Sequence, residues 1–176
     1  MREFQRPQLV ATDIANLIYT SGTTGNPKAC AIQQGFLTRV MASGLHHRDN
    51  PLRTLSCMPL FHGTTFFTGL TFSVGNGSCF ILLRKFSAKT FWRDCYVSRA
   101  TKVLYVGELC RYLLATPKSE YDRKHEVRIA SGNGMRAEVW DKFKERFGIP
   151  TIEEYYRATE VHIPQRTKLI VGSGLA

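Results

Sequence analysis

The stretch Tyr19-Thr20-Ser21-Gly22-Thr23-Thr24-Gly25-Asn26-Pro27-Lys28 packs hydroxyl residues, two glycines and a lysine into one short segment. Hydroxyls and free backbone N–H groups donate hydrogen bonds to phosphate oxygens, and glycines let the main chain approach closely. Lys28 adds a mobile point charge suited to a phosphate chain, and Pro27 stiffens the loop just before it. The simplest alternative is an ordinary Gly/Ser/Thr-rich turn. A Walker A loop is excluded, because that motif needs glycine before the lysine and Ser or Thr after it. Here Pro27 precedes Lys28 and Ala29 follows it.

The elements that must hold this loop alternate between strand and helix. Asn16 to Tyr19 reads as a short buried strand, and Ala29 to Ile32 resumes one. Gln34 to His47 has helical spacing of Phe36, Leu37, Val40, Met41 and Leu45, and Asn50-Pro51 stops it. Arg53 to Met58 is a strand, Pro59 to Gly63 a turn, and Phe66 to Val74 a buried helix closed by Gly75-Asn76-Gly77. The continuous apolar run Ser78 to Leu83 predicts a parallel strand covered on both faces. Ser87 is a candidate N-cap, with Phe86 and Phe91 placed for a hydrophobic staple. Lys102 to Val106 is a strand, Gly107 opens a short helix, and Thr116-Pro117 ends it. Val127 to Ala130 is a strand, and Ser131 to Gly134 reads as a tight turn. Arg136 to Phe147 is the clearest helix, with a Glu138–Lys142 pair expected and Gly148 and Pro150 as its stop. Thr151 to Tyr155 is a strand, and Lys168 to Val171 a weaker one. The sum is an α/β fold, a largely parallel sheet flanked by helices. Residues 1–12 read as a disordered lead-in, 13–160 as the domain, and 161–176 as a ragged end.

The chain has 176 residues, enough for one compact core, and no run of about 18 apolar residues. Its N-terminus is polar, without the apolar stretch of a signal peptide. The five cysteines are widely spaced with no C-x-x-C pair, which argues against a zinc site or disulfide framework and for a reducing, intracellular compartment. The net charge of +10 suits nucleic acid, an anionic membrane or a polyphosphate substrate. The basic residues are scattered, however, so nucleic acid is not an expected partner.

Four loops follow predicted strands, beginning at Thr20, Pro59, Ser131 and Tyr156, and in a parallel sheet such loops converge at the carboxyl edge. Tyr-Thr-Ser-Gly-Thr-Thr-Gly-x-Pro-Lys resembles the phosphate-loop signature of the adenylate-forming (AMP-binding) superfamily. Pro59-Leu60-Phe61-His62 resembles that family's Pro-Leu-x-His element, whose histidine lies where the acyl and phosphate pockets meet. Ser131-Gly132-Asn133-Gly134-Met135 resembles the segment that lines the adenine pocket. Tyr155-Tyr156-Arg157-Ala158-Thr159-Glu160 resembles the Tyr-Gly-x-Thr-Glu motif. The resemblance implies that Thr20, Ser21, Gly22, Thr23, Thr24, Gly25 and Lys28 hold phosphates, that Tyr156 packs on adenine, that Thr159 touches the α-phosphate and that Glu160 helps hold Mg²⁺. An aromatic face, a hydroxyl and a hard carboxylate suit those roles. Thr24, Lys28, His62 and Glu160 are the implied catalytic group. Two further segments, Tyr105 to Leu114 and Gly132 to Trp140, resemble the fatty acid transport protein branch, which overlaps the very-long-chain acyl-CoA synthetases.

What the resemblance implies is ATP-dependent activation of a long- or very-long-chain fatty acid to an acyl-adenylate, then transfer to coenzyme A. Relatives work on membranes of the endoplasmic reticulum, peroxisome or cell surface, so peripheral membrane association is the matching expectation. Two features depart from the pattern. Arg157 stands where the family has glycine, at a cost of roughly 1–2 kcal/mol if that backbone is left-handed. A later Tyr-x-Thr-Gly-Asp motif and the catalytic lysine of the small C-terminal lid domain are missing from these 176 residues. The expectation is therefore weak or no synthetase activity for this chain alone. The alternative is a non-catalytic remnant that binds nucleotide, lipid or a partner.

Overall fold

The computed structural model describes residues 7–20, 26–43, 50–155 and 170–171, the last two by backbone alone. Two antiparallel strands come first, β1 (Ile14–Thr20) and β2 (Lys28–Gln33), joined by the Ser/Thr/Gly loop. Helix α1 (Gln34–Ala42) follows directly. The main sheet is built from β3 (Arg53–Ser56), β4 (Cys79–Leu82), β5 (Lys102–Val106), β6 (Ile129–Asn133), β7 (Thr151–Glu154) and β8 (Ile170–Val171). Its order is β4-β3-β5-β6-β7-β8, and all neighbours are parallel except β8, which runs antiparallel to β7. Helix α2 is π-wound over Thr64–Thr71 and α-wound over Phe72–Asn76. Helices α3 (Phe91–Ser98), α4 (Gly107–Leu114) and α5 (Ala137–Phe147) complete the domain.

Two hydrophobic clusters define the layers. One face of the sheet packs Leu55, Val103, Tyr105, Ala130 and Ile152 against apolar residues of α3, α4 and α5, with Phe91, Trp92, Phe143 and Phe147 at its centre. A second cluster joins Ile18 and Ile32 of the hairpin to Val40 of α1 and to Phe67 and Phe72 of α2. The chain thus leaves β3 for one face and β5 for the other. In sheets of this kind the carboxyl edge at such a reversal is the usual place for a ligand.

Helix α5 and strands β5 and β7 form where the apolar period predicts them. Val139, Phe143 and Phe147 are buried on one face of α5, and Gly148 closes it with φ +65°. Several expectations are corrected. The segment Asn16 to Tyr19 is a strand but not a buried one: only Ile18 is buried, because β1 belongs to a two-stranded hairpin with one open face. Strand β4 sits at the sheet edge and is only partly covered, so an unbroken apolar run here marks an edge. Strand β6 continues through Asn133 and the turn begins only at Gly134, φ +80°. Helix α3 starts at Phe91, later than Ser87 suggested; the Ser87 carbonyl accepts from the N–H groups of Thr90 and Phe91, and the Phe86–Phe91 contact does form. Glu138 lies 3.8 Å from Arg136 rather than pairing with Lys142. Helix α1 is described to Ala42, and its expected continuation lies outside the described residues. The end of the lead-in is held in place: the Ala11 carbonyl accepts from Gly35 N–H and the Asp13 carbonyl from Gln34 N–H.

Among the described residues all five cysteines are free thiols. Burial raises the Cys57 thiol to about 11 and raises Cys95 and Cys110 as well, so these three are inert core residues. No helix among the described residues is long and apolar enough to cross a membrane.

Candidate functional site

Thr20 and Lys28 are register partners at the loop end of the β1–β2 hairpin. The phosphate-loop residues Ser21, Gly22, Thr23, Thr24 and Gly25 lie between them, outside the described residues, but both anchors of the loop are fixed. Lys28 is exposed, so its ammonium is available to an anion. The hairpin is not part of the main sheet, so the parallel-sheet rule expected from sequence does not apply to the strands that flank this loop. Ile18 and Ile32 pack the hairpin onto Phe67 and Phe72 of α2.

The loops after β3, β6 and β7 do leave the same edge of the main sheet, since those strands are parallel. The β3 loop is fixed from below by buried hydroxyls. Ser56 Oγ and Thr65 Oγ1 are 2.9 Å apart, Met58 N–H donates to Ser56 Oγ, and Thr65 Oγ1 donates to the Met58 carbonyl. Beyond it, Leu60 and Phe61 line an apolar pocket of about 510 Å³ together with Asn16, Leu17, Ile18, Tyr19 and Phe66. The first residue of the family-like loop, Tyr19, and the Pro59–His62 turn therefore share one pocket. Phe61 is 79% exposed, which leaves that pocket open.

His62 is half-buried just before the start of α2, and its ring accepts from the first turn. Its Nδ1 accepts from Thr64 N–H at 3.3 Å. Nδ1 therefore carries no proton, and the neutral ring carries it on Nε2. Burial lowers the imidazole below its usual value, which keeps the ring neutral near pH 7. His62 can offer one N–H donor there, and it carries no charge.

The Gly132–Gly134 segment is set by three neighbouring strands. Tyr105, Gly132 and Glu154 are side by side in register. A Cβ on Gly132 would meet the Tyr105 carbonyl oxygen at 2.1 Å and its ring at 2.8 Å. On that side, the ring lying against Gly132 is the protein's own. The Tyr105 hydroxyl donates to Glu154 Oε2 at 2.5 Å, and Glu154 Oε1 accepts the N–H groups of Gly134 and Met135. Burial, then the adjacent carboxylate, raises the Tyr105 phenol, so it remains a proton donor. The Asn133 side-chain oxygen is buried without a partner among the described residues.

Sequence reasoning did not find Tyr105, Glu154, Ser56 or Thr65. A tyrosine in an apolar strand and a serine ending one look like filler, and a glutamate beside another glutamate looks like surface. The one usable signal was the π-wound segment Thr64–Thr71, since such windings gather at functional sites, but its spacing is not legible as such. Just after β7, Tyr155 donates from its hydroxyl to Thr68 of that segment at 3.2 Å. Tyr156, Thr159 and Glu160 lie outside the described residues.

The AMP-binding enzyme family matches over residues 2–169. The chain is 44% identical over 146 residues to the very long-chain fatty acid transport protein of Saccharomyces cerevisiae, covering 82% of this chain and 22% of that protein. It is 41% identical over 153 residues to a medium/long-chain-fatty-acid–CoA ligase of Mycobacterium tuberculosis, covering 85% of this chain and 26% of the ligase. The chain thus spans about a quarter of the length of these relatives. In fold, it resembles ATP-bound MatB from Rhodopseudomonas palustris, with a TM-score of 0.74 over 90% of this chain and 32% of that one at 22% identity. The N-terminal domain of FACL13 from Mycobacterium tuberculosis gives 0.72 over 89% of this chain and 39% of that one, also at 22% identity. Taken with the sheet order and the shared carboxyl edge, these matches establish that the chain belongs to the AMP-binding enzyme family.

Proposed function

We propose that this chain carries the nucleotide-binding part of an ATP-dependent acid–thiol ligase that activates long- or very-long-chain fatty acids to acyl-adenylates and then to acyl-CoA. The observation that carries the reading is the packing of the Thr20/Lys28 hairpin against α2, where it shares a pocket with the Pro59–His62 turn, while Tyr155 ties α2 to Gly132. The fatty-acid assignment draws on relatives whose names specify long-chain and very long-chain fatty acids.

In this reading Thr20 to Gly25 and Lys28 receive the phosphates of ATP, and Gly132, Asn133 and Gly134 face the adenine, which Tyr156 covers. Thr159 hydrogen-bonds the α-phosphate. The fatty-acid carboxylate attacks that phosphorus, pyrophosphate leaves, and the thiol of coenzyme A then opens the acyl-adenylate. The carboxylate is already ionised, so no protein base is needed, and catalysis rests on positioning and charge stabilisation. Neutral His62 offers Nε2–H to the incoming carboxylate, and the apolar pocket of Leu17, Tyr19, Leu60, Phe61 and Phe66 is its apolar surrounding.

Magnesium belongs to this reading, since a hard carboxylate beside phosphate oxygens suits it. Glu160 would hold it, and it would neutralise phosphate charge.

ATP–pyrophosphate exchange driven by long-chain fatty acids tests the reading; exchange that depends on the fatty acid supports it. Arg157, in place of the family's glycine, favours a second reading: nucleotide binding without adenylation. A thermal shift with ATP and no exchange under any fatty acid would decide for it. Peripheral attachment to an endoplasmic reticulum, peroxisomal or plasma membrane accompanies the first reading, and vesicle co-sedimentation tests it.

A further inference from the structure

We propose that Ser56 and Thr65 are positioning residues for the proposed reaction: their buried hydroxyls close a hydrogen-bond circuit through Met58 that holds the His62 ring as a fixed N–H donor to the fatty-acid carboxylate. The inference rests on the reading of His62 as the group that meets that carboxylate.

Ser56 ends β3, Thr65 lies in the first turn of α2, and both are fully buried. Thr65 Oγ1 donates to the Met58 carbonyl at 3.3 Å and lies 2.9 Å from Ser56 Oγ, which accepts Met58 N–H at 3.2 Å. A hydroxyl carries one proton. With the Thr65 proton on the carbonyl, the bond between the two hydroxyls takes its proton from Ser56. The bonds then run in one direction, from Met58 N–H through Ser56 and Thr65 and back to the Met58 carbonyl. Bonds aligned head to tail polarise one another, and every proton in this ring has an acceptor.

The circuit joins the two ends of the turn that carries His62. Between its anchors Pro59, Leu60 and Phe61 are exposed. His62 N–H donates to the Pro59 carbonyl at 3.0 Å, and the His62 carbonyl accepts from Phe66 N–H at 3.0 Å. The ring is held by Thr64 N–H, which donates to Nδ1 and is the neighbour in sequence of Thr65. The group that fixes the tautomer thus depends on the placement of Thr65. Nε2 has no partner among the described residues, yet it is not among the buried polar atoms that lack one, so it is open to a ligand. A donor already fixed in place costs no reorganisation when the carboxylate arrives.

Nitrogen-15 NMR of the His62 side chain reads the tautomer, and dodecanoate is the probe ligand, with dodecanol as its carboxylate-free control. The full chain is compared with Ser56→Ala, Thr65→Val, the double variant and Thr65→Ser. In the wild-type chain the Nε2–H tautomer should predominate, and its proton should shift with dodecanoate and not with dodecanol. Thr65→Val keeps the branched shape and removes the hydroxyl. It should raise the minor tautomer about fivefold and weaken dodecanoate about fivefold, the loss of one neutral hydrogen bond. Either substitution opens the same ring, so the double variant should lose no more than each single one. Thr65→Ser restores the hydroxyl and should restore both readouts, which a general loosening of the turn would not allow. Should Thr65→Val fail to fold, Ser56→Ala carries the same two readouts. Unchanged tautomer and affinity in the folded variants would overturn the positioning role while the carboxylate site stands. If dodecanoate leaves Nε2–H unmoved, or dodecanol moves it equally, His62 is not the carboxylate donor and the inference falls with that reading.

Discussion

Tyr105 reaches Glu154 across Gly132: the phenol on β5 hydrogen-bonds the carboxylate on β7, and the strand between them has no side chain to block the way. Three residues that are far apart in sequence thus form one unit under the β6–α5 turn. The residue that follows β7, Tyr155, turns to the opposite face and binds Thr68 on α2. The end of β7 therefore ties the β6 loop to one layer and the π-wound start of α2 to the other.

The close approaches at this edge predict a sharp contrast between glycines. A Cβ on Gly107 would meet the Gly134 carbonyl oxygen at 1.7 Å, and neither partner is a flexible side chain. Gly107→Ala should therefore cost about 2–4 kcal/mol in denaturant unfolding and displace the turn at Gly134. Gly77 has φ +69° but nothing within 4 Å of its would-be Cβ, so Gly77→Ala should cost only about 1 kcal/mol of left-handed strain. Equal costs for the two would show that the β6–α5 turn yields freely.

Arg146 predicts a large stability effect far from the candidate site. It pairs with Asp122 at 2.9 Å and donates to the carbonyls of Leu114, Thr116 and Pro117, with both side chains largely buried. It closes the end of α4 and fastens the loop that follows. Arg146→Met should cost about 3–5 kcal/mol, because it leaves the Asp122 carboxylate buried without its cation. Adding Asp122→Asn should restore about 1–2 kcal/mol, and a double-mutant cycle by urea unfolding reads the coupling. Strict additivity would mean that the pair is not coupled.

Much of the layered fold was legible because α5, β5 and β7 obey their own periods. Val139, Phe143 and Phe147 repeat at helical spacing, and Gly148 supplies the left-handed stop. The hairpin was misread as buried because Leu17, Ile18 and Tyr19 are all apolar, yet only Ile18 faces α2 while Leu17 and Tyr19 are 51% and 65% exposed. Local sequence does not say which face has a partner. The phosphate loop and the His62 turn were legible as ordered motifs. Glu154 was not, since its role depends on Tyr105 and Gly134, which lie 49 and 20 residues away in sequence. Nor was the neutral state of His62, which comes from burial.

Two half-buried histidines predict an acid limb of stability. Burial lowers both His62 and His125 below the ordinary value of 6.5, and His125 is stacked on Trp92 with its Nε2 buried. A base whose folded value is depressed binds fewer protons folded than unfolded just below 6.5. Its contribution is fully present above 6.5 and is lost as pH falls through the folded values. Tm should therefore be level from pH 8 to 7 and fall as the solution is taken to pH 5. His62→Gln with His125→Gln should flatten that fall; an unchanged slope would assign the acid sensitivity to carboxylates instead.

Lys28 separates a ligand role from a structural one. It is exposed at the end of the hairpin, opposite Thr20, and no described side chain depends on it for packing. Lys28→Ala should leave Tm unchanged within about 1–2 °C, as expected for an exposed surface position. If Lys28 holds the terminal phosphates, the variant should bind ATP about tenfold more weakly, the loss of one charge-assisted contact. AMP lacks those phosphates, so its affinity should barely move. Titrating both nucleotides against both proteins gives the comparison directly. A loss for AMP as large as that for ATP would place Lys28 against the α-phosphate or the ribose. No loss for either would remove the hairpin from the nucleotide site.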